Sequence, residues 1–122
     1  MLTWLRPLGM SLTSRPASEP EMSSAMDVEL DGSRILSSAD LHDEIATILD
    51  LGPYYGRNLD ALWDRISADV ARPVRLKWIN ARVSREALGA EEFSKVVDVL
   101  RRAAEQDRQA GLIERFEFDV FD

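Results

Sequence analysis

Hydrophobic side chains return along this chain with two different periods, and each change of period marks a new element. Val28 and Leu30 alternate with Asp27 and Glu29, a spacing of two that predicts a half-buried strand, and Asp31-Gly32 ends it. Val74, Leu76 and Trp78 alternate in the same way with Arg75 and Lys77, and Phe116, Phe118 and Val120 with Glu117 and Asp119. These predict a second and a third strand. Between the strands the spacing becomes that of a helix face. Ser37-Ser38-Ala39-Asp40 offers capping side chains to a helix whose apolar stripe is Leu41, Ile45, Ile48 and Leu49, and Leu51-Gly52-Pro53 stops it. Leu59, Leu62, Trp63 and Ile66 set a second helix over about 58–69. A short turn or helix is expected around 84–88. Phe93, Val96, Val97, Leu100 and Ala104 then mark a long helix over about 90–109, ended by Gly111.

This order, with helices between successive strands, calls for a two-layer α/β fold with a parallel sheet and right-handed crossovers. Parallel strands are usually apolar on both faces. Here all three alternate, so one sheet face should be wet and the other covered by helices. The wet face also predicts strand order. Strands one and three expose Asp27, Glu29, Glu117 and Asp119, whereas strand two exposes Arg75 and Lys77. Opposite charges favour neighbouring strands and like charges disfavour them. The basic strand therefore belongs in the middle, giving the order 1-2-3.

Residues 1–25 lack either period. They hold Pro7, Pro16 and Pro20 in polar surroundings, which predicts a disordered N-terminal extension, or a start placed too early with Met22 or Met26 as alternatives. The domain is expected over 26–122. The stretch Met1–Pro7 has no basic start, and Arg6 and Pro7 interrupt its apolar residues, so it does not read as a signal peptide. No apolar run is long enough to span a membrane. The absence of cysteine removes disulfides, thiolate chemistry and zinc–thiolate sites, in keeping with a reducing cytoplasm. A net charge of −7 argues against nucleic acid as a partner and for a basic protein. The acidity is concentrated. Residues 26–50 carry seven acids and one base, whereas 71–110 carry nine bases and six acids.

The stretch Tyr54-Tyr55-Gly56-Arg57-Asn58-Leu59-Asp60-Ala61-Leu62-Trp63-Asp64 is the most informative in the chain. Asn58 reads as a helix N-cap. Asp60 and Asp64 stand four apart on one helix face, away from the apolar stripe. Like charges so placed weaken a helix by roughly a few tenths of a kcal/mol. The helix dipole offsets part of this near the N-terminus, more for Asp60 than for Asp64. Three uses are open to the pair: a solvated face, a metal or acid–base pair, or a grip on a cationic site. Catalysis would need a cleft and an orienting group, and no third ligand recurs nearby at metal spacing. Gly56 reads as a backbone-permissive turn and Tyr55 as packing. His42, the lone histidine, reads as a hydrogen-bonded structural residue. Trp78 reads as strand core and Arg101-Arg102 as a solvated helix face.

The same eleven residues, with Asp40-Leu41-His42 at the first helix start and Pro73 leading into the strand that ends at Trp78, resemble the barstar family. Its members are intracellular inhibitors of secreted microbial ribonucleases, and the resemblance spans roughly residues 26–122. It implies a two-layer fold with a three-stranded parallel sheet, no enzymatic activity and no cofactor or metal. It implies a cytoplasmic protein, monomeric when free, that forms a one-to-one complex with a basic extracellular-type ribonuclease and binds neither nucleic acid nor membrane. An acidic field speeds association with such a partner, a rule drawn in part from the barnase–barstar complex itself. By resemblance, Asp64 would enter the enzyme's phosphate site as a phosphate mimic and Asp60 would meet a second active-site cation. Tyr54 would lie over the active site. The main chain of Gly56, together with Asn58, Leu59 and the edge of Trp63, would join the contact, with weaker contacts from Ser67 and Ala68.

Three departures stand out. Arg102 occupies the place of a family glutamate, Asp69 that of an aromatic, and Ala71 that of a further acid. They leave open an immunity or interaction module of the same fold with a non-ribonuclease partner. A small metal-binding enzyme built on Asp60 and Asp64 is the remaining alternative.

Overall fold

A computed structural model describes residues 26–122, and the expected N-terminal extension, residues 1–25, lies outside them. Strand β1 (Met26–Asp31) runs through a short 3₁₀ turn (Gly32–Arg34) into helix α1 (Ser38–Ile48). Helix α2 (Leu59–Ala68), strand β2 (Val74–Ile79), helix α3 (Ala81–Leu88), helix α4 (Ala90–Gln109) and strand β3 (Phe116–Val120) follow. The three strands form one parallel sheet in the order β1-β2-β3.

The register explains that order. Arg75 lies between Asp27 and Glu117, and Lys77 between Glu29 and Asp119. Arg75 bonds Glu117 at 3.1 Å and approaches Asp27 at 4.0 Å, while Lys77 reaches diagonally to Asp27 at 3.6 Å. Exposed pairs of this kind contribute only about 0–1 kcal/mol each. They disfavour other strand orders, because β1 beside β3 would set acids against acids. The opposite face carries Leu30, Val74, Leu76, Trp78 and Phe116 into a core completed by Leu41, Ile45, Leu62, Ile66, Val96 and Leu100.

Helix α3 is longer than the turn expected around 84–88 and begins at Ala81. Its buried residues are Ala81 and Ser84. These are too small and too polar to register as an apolar stripe. Ser84 is held inside by two hydrogen bonds. Trp78 Nε1 donates to the Ser84 hydroxyl at 3.4 Å, and that hydroxyl donates to the Gly32 carbonyl at 2.8 Å. A Cβ on Gly32 would lie 2.3 Å from the Asn80 carbonyl oxygen, so only glycine fits there. At the other end of the sheet, buried Asp107 of α4 ties down the start of β3. It accepts from Arg72 Nε at 2.9 Å and from the Phe116 amide at 2.8 Å.

Candidate functional site

Helix α2 begins where Asn58 caps it. The Asn58 Oδ1 accepts from the Ala61 amide at 2.8 Å, satisfying one of the helix's orphan donors. From this start the helix turns Leu62 and Ile66 fully into the core. Leu59 and Trp63 are only partly buried against it, at the edges of the stripe rather than within it. Asp60 and Asp64 are exposed on the outer face. Neither carboxylate makes an ion pair or accepts a side-chain hydrogen bond among the described residues. Both remain open to solvent, and Asp60 also lies in the first turn, at the positive end of the helix dipole.

The loop before α2 is anchored to α1. Tyr54 and Tyr55 face opposite ways: Tyr54 is 89% exposed and Tyr55 only 6%. The Tyr55 hydroxyl lies 2.6 Å from Nδ1 of buried His42. Burial pushes the Tyr55 hydroxyl up to about 12. Burial first, and then the Arg57 charge, hold His42 below its ordinary value, opposed by Glu92 and Asp43. The pair is therefore neutral near pH 7 and locks the loop to the helix beneath it.

Gly56 has a different role from the permissive turn expected of it. The residue with positive φ is its neighbour Arg57, at 60°. At Gly56 the constraint is space, since a Cβ would come within 3.0 Å of the Ala61 Cβ. Arg57 donates to the Asp43 carboxylate and, at 3.4 Å, to the Ala39 carbonyl, which pins the loop to α1 a second time.

The remaining expected contacts follow along α2. Ser67 is partly buried, and its hydroxyl donates back to the Trp63 carbonyl at 2.7 Å. Ala68 is exposed at the last turn. Tyr54, Gly56, Asn58, Leu59, Asp60, Trp63, Asp64, Ser67 and Ala68 thus all retain some solvent access along one loop and the helix it starts. Across the groove to α4, the Arg102 guanidinium lies 5.0 Å from the centre of the Trp63 ring. Asp69, at the C-cap of α2, is 3.7 Å from Arg65.

Two features of this anchoring carry no local sequence signal. Arg57 and Asp43 are fourteen residues apart, and the left-handed backbone of Arg57 has no glycine or asparagine to announce it. Among the described residues no three His, Cys, Asp or Glu side chains gather as metal ligands would. No helix among them is long and apolar enough to cross a membrane.

The family whose sequence pattern matches residues 25–119 is described as Barstar (barnase inhibitor). The chain is also 41% identical over 66 residues to a protein of Bacillus subtilis (strain 168) named "Putative ribonuclease inhibitor YrdF". That alignment covers 54% of this chain and 71% of the relative.

Proposed function

Because the chain belongs to the barstar family, we propose that it inhibits a basic, barnase-like ribonuclease by seating the α2 face in the enzyme's active site. One observation carries this reading. Asp60 and Asp64 stand together on the outer face of α2 with no ion pair among the described residues. Self-contained surfaces neutralise or disperse such charge, because adjacent like charges weaken their own helix. A ribonuclease pocket holds cations to grip phosphate. Rigid carboxylates placed there receive charge-assisted hydrogen bonds and stand in for the RNA backbone without any reaction. Asp64 takes the phosphate position and Asp60 a neighbouring cation. Tyr54 covers the mouth of the site, and Asn58, Leu59, the edge of Trp63, Ser67, Ala68 and the Gly56 main chain fill the rim. The complex is one-to-one, and the inhibitor works in the cytoplasm, where it protects the cell's own RNA.

The loop anchor supports this role. A face held by the buried His42–Tyr55 contact loses little conformational freedom on binding. Calorimetric titration of barnase with Asp64→Ala tests the assignment. Truncating a buried interfacial hot spot costs at least about 2 kcal/mol, a range drawn in part from the barnase–barstar complex itself. A change below about 0.5 kcal/mol would remove Asp64 from the contact.

A second reading is favoured by the rim. Arg102 places a cation beside Trp63, and Asp69 replaces an aromatic, so the fold here would serve an immunity module with a different partner. Rim charges select partners more than they set affinity. Inhibition assays across a panel of microbial ribonucleases separate the two: the first reading predicts potent inhibition of a basic member, the second none.

A further inference from the structure

Three arginines border the acidic face, and each is held elsewhere. Arg65, next to Asp64 in sequence, points to Asp69 at 3.7 Å. Arg102 lies over the Trp63 ring at 5.0 Å. Arg57 is three positions before Asp60, a separation its side chain can span, yet it is turned back onto α1. There it bonds the Asp43 carboxylate and the Ala39 carbonyl. The backbone at Arg57 has a φ of 60°, which non-glycine residues seldom adopt, and it is from this conformation that the side chain reaches α1. The pair is exposed, with Arg57 at 46% and Asp43 at 61%, and exposed pairs contribute little to stability. Its consequence lies in where it leaves the charge.

We propose that Asp43 is a positioning residue for ribonuclease binding: by holding Arg57 against α1, it keeps a cation off the acidic face. Released, the guanidinium has two destinations. It neutralises Asp60, or it projects toward the partner's cationic site, and like charges brought together across an interface oppose binding. Either outcome removes part of the negative field that the partner reads. Asp43 therefore acts through Arg57 and need not touch the ribonuclease. This inference rests on the ribonuclease reading above.

The test measures association and dissociation of barnase with the full chain and five variants: Asp43→Asn, Arg57→Gln, the double variant carrying both changes, Glu44→Gln and Asp64→Ala. Glu44 is one residue along α1 and faces Arg34 at 3.8 Å, so Glu44→Gln reports the loss of one negative charge and one weak ion pair that does not involve Arg57. The expected result is that Asp43→Asn weakens binding about tenfold more than Glu44→Gln, with little change in melting temperature. Arg57→Gln binds at least as tightly as the unaltered chain, and the double variant recovers most of what Asp43→Asn loses. A simple structural latch would instead make Arg57→Gln as weak as Asp43→Asn and the double variant no better, and that pattern overturns the inference. So does an Asp43→Asn loss equal to that of Glu44→Gln. Asp64→Ala reports on the underlying reading separately. If it weakens binding while Asp43→Asn does not, only the role of Asp43 falls. If the unaltered chain fails to bind barnase, or Asp64→Ala binds as well as it does, both fall together.

Discussion

The open face of the sheet and the outer face of α2 are both charged, yet they handle charge in opposite ways. On the sheet, acidic Asp27 and Glu117 are answered by Arg75 and Lys77 on the strand between them. On α2, Asp60 and Asp64 have no such answer among the described residues, although Arg57, Arg65 and Arg102 are all close by. The first pattern satisfies the molecule's own topology. The second leaves a negative field that only an outside cation can meet. Surface charge therefore serves two ends in this fold, and what sets α2 apart is two unpaired like charges side by side on one helix face.

That contrast predicts a division between stability and binding. The largest effect on stability belongs to a charge that is both paired and buried. Asp107→Ala leaves the Phe116 amide and Arg72 Nε without their acceptor and Arg72 without its counter-charge, and should cost about 3–5 kcal/mol in urea unfolding. An effect below about 1 kcal/mol would mean that this pair is no more than an exposed one. Tyr54→Ala is the reverse case. Its ring is 89% exposed, so unfolding should change by less than about 0.5 kcal/mol, while ribonuclease binding weakens by about 1–3 kcal/mol. Equal losses in the two measurements would erase the division.

The loop anchor gives a smaller effect that depends on pH. Burial holds His42 below its ordinary 6.5 in the folded protein, so the folded state favours the neutral ring. Its contribution is fully present above 6.5 and is lost as pH falls through the folded value. Urea melts at pH 7.5 and 5.5 should show a greater loss for the unaltered protein than for His42→Gln, and identical losses would exclude His42 as the cause. The smallest effect is expected on the sheet. Lys77→Met should change stability by less than about 1 kcal/mol and leave binding unaltered, because an exposed pair contributes little and lies off α2.

Much of the architecture could be read along the chain because its causes are local. Alternation located the strands, and the basic character of Arg75 and Lys77 ordered them, since both effects act between adjacent positions or adjacent strands. Helix α3 was only partly visible because it buries Ala81 and Ser84, which carry no periodic apolar signal. The site was legible in composition but not in mechanics. Asn58 as a cap and Tyr55 as packing follow from residue type and position. The steric role of Gly56 and the left-handed backbone at Arg57 depend on how the loop closes over Ala61 and α1. Arg57–Asp43, Arg102–Trp63 and Arg72–Asp107 are contacts between distant segments, and no short-range pattern encodes them.

The central claim is that charge on α2, rather than its shape, recognises the ribonuclease. Replacing Asp60 and Asp64 together by asparagine removes both charges while nearly preserving volume. Titration calorimetry of that double variant against barnase, with a thermal melt as control, tests the claim directly. The account predicts an unchanged or slightly raised melting temperature, as the like-charge repulsion is relieved, and binding weakened by at least about a thousandfold. Affinity within about threefold of the unaltered protein would contradict it.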